Sequence, residues 1–378
     1  MIISRSLKKT LKQAILQNDQ VVLLYGARQT GKTTLIKAIL EELSLKHLAV
    51  NADELRYMDV LSSRDVSKMS LLVEGLDLLY IDEAQRIPDA GINVKLLHDH
   101  FPKLKIILTG SSSLELANRT REPLTGRTNS FTLFPVAIEE LLSHYNKLDL
   151  DAKLEEFLIY GNYPDILTTA NAERKQKKLY ELTSSYLYKD VLELTNIRNS
   201  RKISDLLKLL AYQIGSLVSM NELASSLQMS KETVSSYIDL MEKSFVLFRL
   251  GGFSRNLHKE LTKMDKLYFC DLGIRNALIN NFNPLSSRND QGQLWENFLI
   301  IERQKRNSYR QAVLNPYYWR TYSGPEIDLI EEKGGELSAY EVKFGTKISK
   351  EPLSWRKAYP TASFSVINRE NYLSFITG

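Results

Sequence analysis

The chain has 378 residues, 43% hydrophobic and 25% charged, with 50 Lys and Arg against 45 Asp and Glu. That length exceeds one ordinary domain, so two or three are expected, each able to bury its own core. A net charge of +5 permits a nucleic-acid partner without demanding one, and a lone cysteine, Cys270 in KLYFCD, excludes an internal disulfide.

The start, MIISRSLKKTLKQAIL, carries Leu7, Leu11 and Ile15 at helical spacing with lysines between. Its apolar stretches are too short for a signal peptide or a spanning helix, so a cytoplasmic chain with no membrane partner is expected. Five apolar runs follow: Val21–Tyr25, His47–Asn51, Leu76–Asp82, Lys105–Ser111 and Ser130–Phe134. Runs of this kind suit parallel strands covered on both faces, and their alternation with helical stretches gives an α/β fold class. From Val136 to about Leu210 the period turns helical. A helix-turn-helix pattern with a hairpin lies between Leu217 and Phe269, and from Leu294 a helix leads into the runs YYWRTY, EIDLI and SAYEVKF. Boundaries are expected after 136, 205 and 287, with Asn280–Gly292 the most linker-like stretch.

The strongest motif is GARQTGKT, placed between the strand VVLLY and the helical TLIKAIL. It comprises Gly26, Ala27, Arg28, Gln29, Thr30, Gly31, Lys32 and Thr33, with Thr34 next. Glycines let the backbone bend so that its N–H groups face phosphates, and the following helix N-terminus favours an anion. Lys32 can reach the β- and γ-phosphates of ATP, and Thr33 can hold Mg²⁺. A chance Gly-bearing turn is the competing reading, and the strand and helix around the motif weigh against it. In LLYIDEAQ, Asp82 ends an apolar strand and can serve the same Mg²⁺, while Glu83 can polarise the attacking water. The plainer alternative is an acid pair capping a helix. Thr109 and Ser111, ending another strand, can sense the γ-phosphate or merely cap. A cation against transition-state charge is sought in Arg119, Arg121 and above all Arg127, acting in cis or on a neighbouring subunit, or in Arg28; a solvated basic loop is the alternative.

The stretches LLYGARQTGKTTL, LLYIDEAQRIPD, IILTGSSS and LTGRTNSFTLFPVAIEELL resemble AAA+-type ATPases widespread in bacteria and archaea. YGNYPDIL, LYFCDLGIRNAL, WENFLIIE and YYWRT with EIDLI and YEVKF resemble the second half of that family. The resemblance covers nearly the whole chain. It implies a five-stranded nucleotide-binding core at 1–136, a helical lid at 137–205, a winged helix at 206–287 and a restriction-nuclease-like region at 288–378. Ala27 departs from the Pro frequent in the family.

In VSMNELASSLQMSKETVSSYIDLMEKSFVLFRLGGFS, Ser219 or Asn221 can cap a first helix and Ser230 a second, as in a winged helix-turn-helix. The second helix would present Ser230, Lys231, Glu232, Thr233, Ser235 and Ser236 to DNA. Only Lys231 among them is basic. Arg255, His258, Lys259, Lys263 and Lys266 of the following region suit phosphate contacts, whereas packing alone is the other use of such a module. Further on, Asp328 and Glu341 on neighbouring strands, with Lys343, match a D…E-x-K nuclease pattern, and Glu296 in an apolar helix supplies a third acid for a second Mg²⁺ site. The pattern is cheap, since E-x-K recurs at Glu173–Lys175 and Glu331–Lys333. Two readings remain. One is an ATPase whose nucleotide state is coupled to DNA binding or processing. The other is an ATP-driven switch whose C-terminal half binds a protein partner and cleaves nothing. An oligomer is compatible with either.

Overall fold

The computed structural model describes residues 3–17, 19–111, 124–187, 200–254, 264–321, 324–346 and 349–378. By contact the chain divides into two units. One comprises residues 1–136, 193–195 and 243–245; the other comprises 137–192, 196–242 and 246–378.

In the first unit the apolar runs pair as a parallel sheet. Its strands are Val21–Tyr25 (β1), His47–Asn51 (β2), Leu78–Asp82 (β3), Lys105–Gly110 (β4) and Thr128–Thr132 (β5), in the order β2-β3-β4-β1-β5. Every residue of β1 is buried, and so are the first four of β3. A central strand of a parallel sheet is covered on both faces, which is why these strands read as continuous apolar runs. The helices Leu7–Gln17 (α1), Lys32–Leu40 (α2), Leu55–Leu61 (α3), Val66–Val73 (α4) and Ala90–His100 (α5) belong to the same unit. Leu23, Val50, Met69, Leu79, Ile81, Val94, Leu97, Ile106 and Leu108 share one core, and burying each such side chain contributes about 1.5–3 kcal/mol. β4 lies between β1 and β3, so the C-terminal tips of these three strands are neighbours. That edge carries the site.

The second unit is built on a seven-stranded sheet. Leu217–Val218 (β6), Leu247–Gly252 (β7), Asp265–Phe269 (β8), Asn315–Arg320 (β9), Glu326–Lys333 (β10), Glu336–Val342 (β11) and Ser363–Ile367 (β12) run in the order β12-β11-β10-β9-β7-β8-β6. The helices Met220–Leu227 and Lys231–Lys243 are joined by a turn in which Gln228 is left-handed (φ 50°). Ser219 accepts from the Glu222 N–H at 3.3 Å and Ser230 from the Thr233 N–H at 3.1 Å, as N-capping residues do. The hairpin β7–β8 joins the rest of the sheet through β7, which pairs in parallel with β9 at Gly251–Tyr317 and Gly252–Tyr318. Segments 206–287 and 288–378 therefore share one sheet.

Asn280–Gly292, which reads as a linker, is instead pinned by charge. Arg288 is buried and donates to Asp290, to the Asn281 carbonyl and to Asn276, while Arg275 donates to Asp290 at 2.6 Å. Burial pushes the Asp290 carboxyl up. The hydrogen bonds from Arg288 and the charge of Arg275 outweigh that and hold it at about 2. Phe282 stacks on Tyr160, with centroids 5.7 Å apart and rings 12° from parallel.

Candidate nucleotide-binding site and a carboxylate cluster

The loop after β1 is shaped by its glycines. Gly26 has φ +149°, and a Cβ there would lie 2.2 Å from the Leu133 carbonyl oxygen, so a side chain is excluded twice over. Gln29 and Gly31 are also left-handed, at φ 60° and 95°. Thr30 is fully buried and donates to the Ala27 carbonyl at 2.9 Å, closing the loop on itself. The Lys32 ammonium, at the N-terminus of α2, donates to the carbonyls of Gly26 at 2.7 Å and Ala27 at 2.9 Å. Ala27 is buried, Arg28 half-buried, and Gln29 and Thr34 are exposed. A residue the motif does not include braces this loop. Arg5 is buried, donating to the Thr30 carbonyl at 2.7 Å and to the Phe134 carbonyl at 2.6 Å. No spacing rule connects Arg5 to the loop, and only its position just before an amphipathic helix hinted at a packed role.

Asp82 closes β3 beside this loop. Its Oδ2 accepts from the Thr33 hydroxyl at 2.7 Å, and its Oδ1 accepts from the Thr109 hydroxyl. Thr109 is fully buried, and the Tyr80 hydroxyl lies 3.3 Å from its oxygen. Burial, then the charge of Asp82, pushes the Tyr80 phenol well above its usual range. Thr109, expected to sense a γ-phosphate, here donates to Asp82. Glu83 follows on left-handed backbone (φ 53°, ψ 39°). Its Oε2 accepts from the Gln85 amide, which also lies 3.3 Å from the buried Ser111 hydroxyl. Gln85 is the second residue that motif reading passed over, although it stands in the same LLYIDEAQ.

Arg127 is not at this edge. Val21 opens β1 and accepts its first pairing there, its N–H donating to the Arg127 carbonyl at 2.8 Å; the loop follows the other end of the strand. The Arg127 guanidinium donates instead to Asp99 in α5 at 3.1 Å. At about 3.3 Å per residue, the length of β1 separates it from the loop, so it cannot meet a phosphate held by its own chain. Arg119, Arg121, Arg255, His258, Lys259 and Lys263 lie outside the described residues.

In the second unit, Glu296, Asp328 and Glu341 do come to one region, but a lysine stands among the acids. The Lys266 ammonium of β8, its side chain 3% exposed, lies 3.0 Å from Glu296, 2.5 Å from Glu326 and 3.6 Å from Asp328. Burial pulls its pKa down, but the charges of Glu296, Asp328 and Glu326 outweigh that and hold it charged. Tyr268, two residues on along the same strand, donates to Glu296 at 2.6 Å. The Glu296 carboxyl is pushed up to about 7 by burial, with Asp328 adding to the effect. The second oxygen of Asp328 accepts the Val342 N–H at 2.8 Å, and Glu341 pairs with Lys343 at 2.6 Å. Among the described residues, no group of three or more His, Cys, Asp or Glu side chains is arranged to hold a metal ion. Where a second Mg²⁺ site is expected, ammonium groups balance the acids: Lys266 pairs with Glu296 and Asp328, and Lys343 with Glu341.

A glycine-shaped loop between β1 and α2, an acid at the neighbouring strand tip and a five-stranded parallel sheet make the first unit a P-loop α/β fold. Comparison with known proteins gives the same class. Residues 18–142 match the family described as "AAA domain", and residues 151–285 and 291–373 match two families each described as "Domain of unknown function" (DUF8612 and DUF4143). An uncharacterized protein of Mycobacterium tuberculosis is 27% identical over an alignment, gaps included, of 353 positions that covers 91% of this chain and 74% of that one. An uncharacterized protein of Methanocaldococcus jannaschii is 29% identical over an alignment, gaps included, of 384 positions that covers 89% of this chain and 79% of that one. Among solved structures, a Walker-type ATPase of Pyrococcus abyssi superposes with a TM-score of 0.53 at 18% identity, covering 73% of this chain and 96% of that one, a likeness of fold. Among the described residues no helix is long and apolar enough to cross a membrane.

Proposed function

We propose that this chain is an ATPase that binds Mg²⁺ with ATP at residues 26–34, hydrolyses it with Glu83 as base, and uses nucleotide state to control binding by its second unit. The arrangement at the strand tips carries this reading: Lys32 at the mouth of the loop, with Thr33 and Asp82 joined at 2.7 Å. Those two side chains offer the hard oxygen donors that suit Mg²⁺, and a bound ion would neutralise charge between the β- and γ-phosphates. Lys32 binds the phosphates, Asp82 is held by Thr109, and Glu83 takes the proton of the attacking water. Lys32→Ala should abolish tight ATP binding, read by titration with a fluorescent nucleotide. Glu83→Gln should bind ATP and release no phosphate. Undiminished turnover in Glu83→Gln removes it as base.

For the second unit we favour binding over cleavage. The helix pair with its hairpin suits a winged helix, and β9–β12 with the helix Gln291–Tyr309 suit a restriction-nuclease-like fold. The observation against cleavage is Lys266, whose ammonium is paired where a nuclease needs a metal. Between a DNA and a protein partner, salt-dependent binding to duplex and single strands discriminates. No DNA affinity at low salt leaves the protein partner. Metal-dependent cleavage that is lost in Asp328→Asn overturns the preference for binding.

A further inference from the structure

The acid at the tip of β3 and the one after it are tied to hydroxyl groups at the end of β4, one directly and one through an amide. Thr109 donates directly to Asp82. Ser111, two residues further along the chain, reaches Glu83 through Gln85, whose amide nitrogen donates to Glu83 Oε2 and lies 3.3 Å from Ser111 Oγ. A primary amide has two N–H groups, so one nitrogen can serve both oxygens. Gln85 is 5% exposed and Ser111 3% exposed. The Gln85–Ser111 contact is therefore buried, while the Gln85–Glu83 contact is part-buried. Glu83 itself sits on left-handed backbone (φ 53°, ψ 39°). That conformation disfavours any residue with a side chain and persists only where neighbours over-determine it.

Resting on the hydrolase reading above, we propose that Gln85 is a positioning residue for hydrolysis, anchored by Ser111. It holds Oε2 of Glu83 and leaves Oε1 to take the proton of the attacking water. As the water oxygen bonds to the γ-phosphorus, the bond from that phosphorus to the β–γ bridging oxygen breaks. The electron pair leaves with ADP, and the water's proton passes to Oε1. A carboxylate released from Gln85 still carries its charge but no longer its direction, and a misplacement of about 1 Å can cost on the order of 100-fold in rate.

The test separates rate from binding. Gln85→Ala should lower kcat about 10- to 100-fold while the ATP dissociation constant, measured by fluorescent-nucleotide titration, stays within about twofold of wild type. Ser111→Ala should lower kcat by less. A structural role alone moves affinity and melting temperature together with kcat; that pattern overturns the inference. Should Gln85→Ala fail to fold, Gln85→Asn and Ser111→Ala decide, and wild-type kcat in both overturns it. Wild-type turnover with an undiminished Gln85→Ala overturns the inference alone. Absence of any wild-type ATP hydrolysis overturns the hydrolase reading and the inference with it.

Discussion

At position 26 the backbone has room for a hydrogen and nothing larger, because the Leu133 carbonyl approaches to where a Cβ would be. Gly26→Ala must push that carbonyl away, and with it the Leu133 N–H that donates to the Tyr25 carbonyl at 2.8 Å. Loss of nucleotide binding together with a lowered melting temperature is the expected outcome. Retained affinity would show that the loop can open without cost. Arg5 works on the same loop from outside the motif, and its buried, charge-assisted hydrogen bonds are of the kind worth about 1.5–3 kcal/mol each. Thr109 and Gln85 show how one strand tip disciplines two acids. Arg5 braces the loop, Thr109 fixes Asp82 and Gln85 holds Glu83.

Among the elements, β8 does more than complete a hairpin. It carries Lys266 and Tyr268 to Glu296 and joins acids of β10 to the helix Gln291–Tyr309. Lys266→Ala leaves buried carboxylates without their cation, a change that typically costs about 3–5 kcal/mol. Urea denaturation of the full chain should show that loss in the transition of the second unit. The segment before that helix supplies a pH test. Asp290 is held at about 2 against a usual value of 3.8. A carboxylate with a depressed folded pKa contributes stability that is present above about pH 4 and is lost as pH falls towards 2. Melting curves between pH 5 and pH 2 should fall less steeply for Asp290→Asn than for wild type. Equal slopes would mean that the arginines do not hold this charge.

For the whole molecule, two units with separate cores predict two unfolding transitions in calorimetry. ATP with Mg²⁺ at 100 times its dissociation constant adds about 2.7 kcal/mol to the unit that holds the loop, so the transition of that unit should rise. A rise absent at saturating nucleotide would contradict binding at residues 26–34. The sequence by itself determined the class of the first unit. β1 and β2 occur where their apolar runs begin and end, and the loop's left-handed glycines and adjoining helix are local facts that spacing can report. The strand that ends at Asp82 was legible for the same reason. Tertiary structure alone decided the rest. It moved β5 to Thr128–Thr132, two residues before the apolar run suggested, because register follows β1. It put Arg127 at the end of β1 away from its own chain's loop, brought Arg5 to a carbonyl 129 residues away and set Lys266 against Glu296, 30 residues on. Strand period, glycine conformation and helix capping act over a few residues and leave a trace in the sequence. Charge pairing in a core depends on which distant elements meet, and only the folded chain settles that.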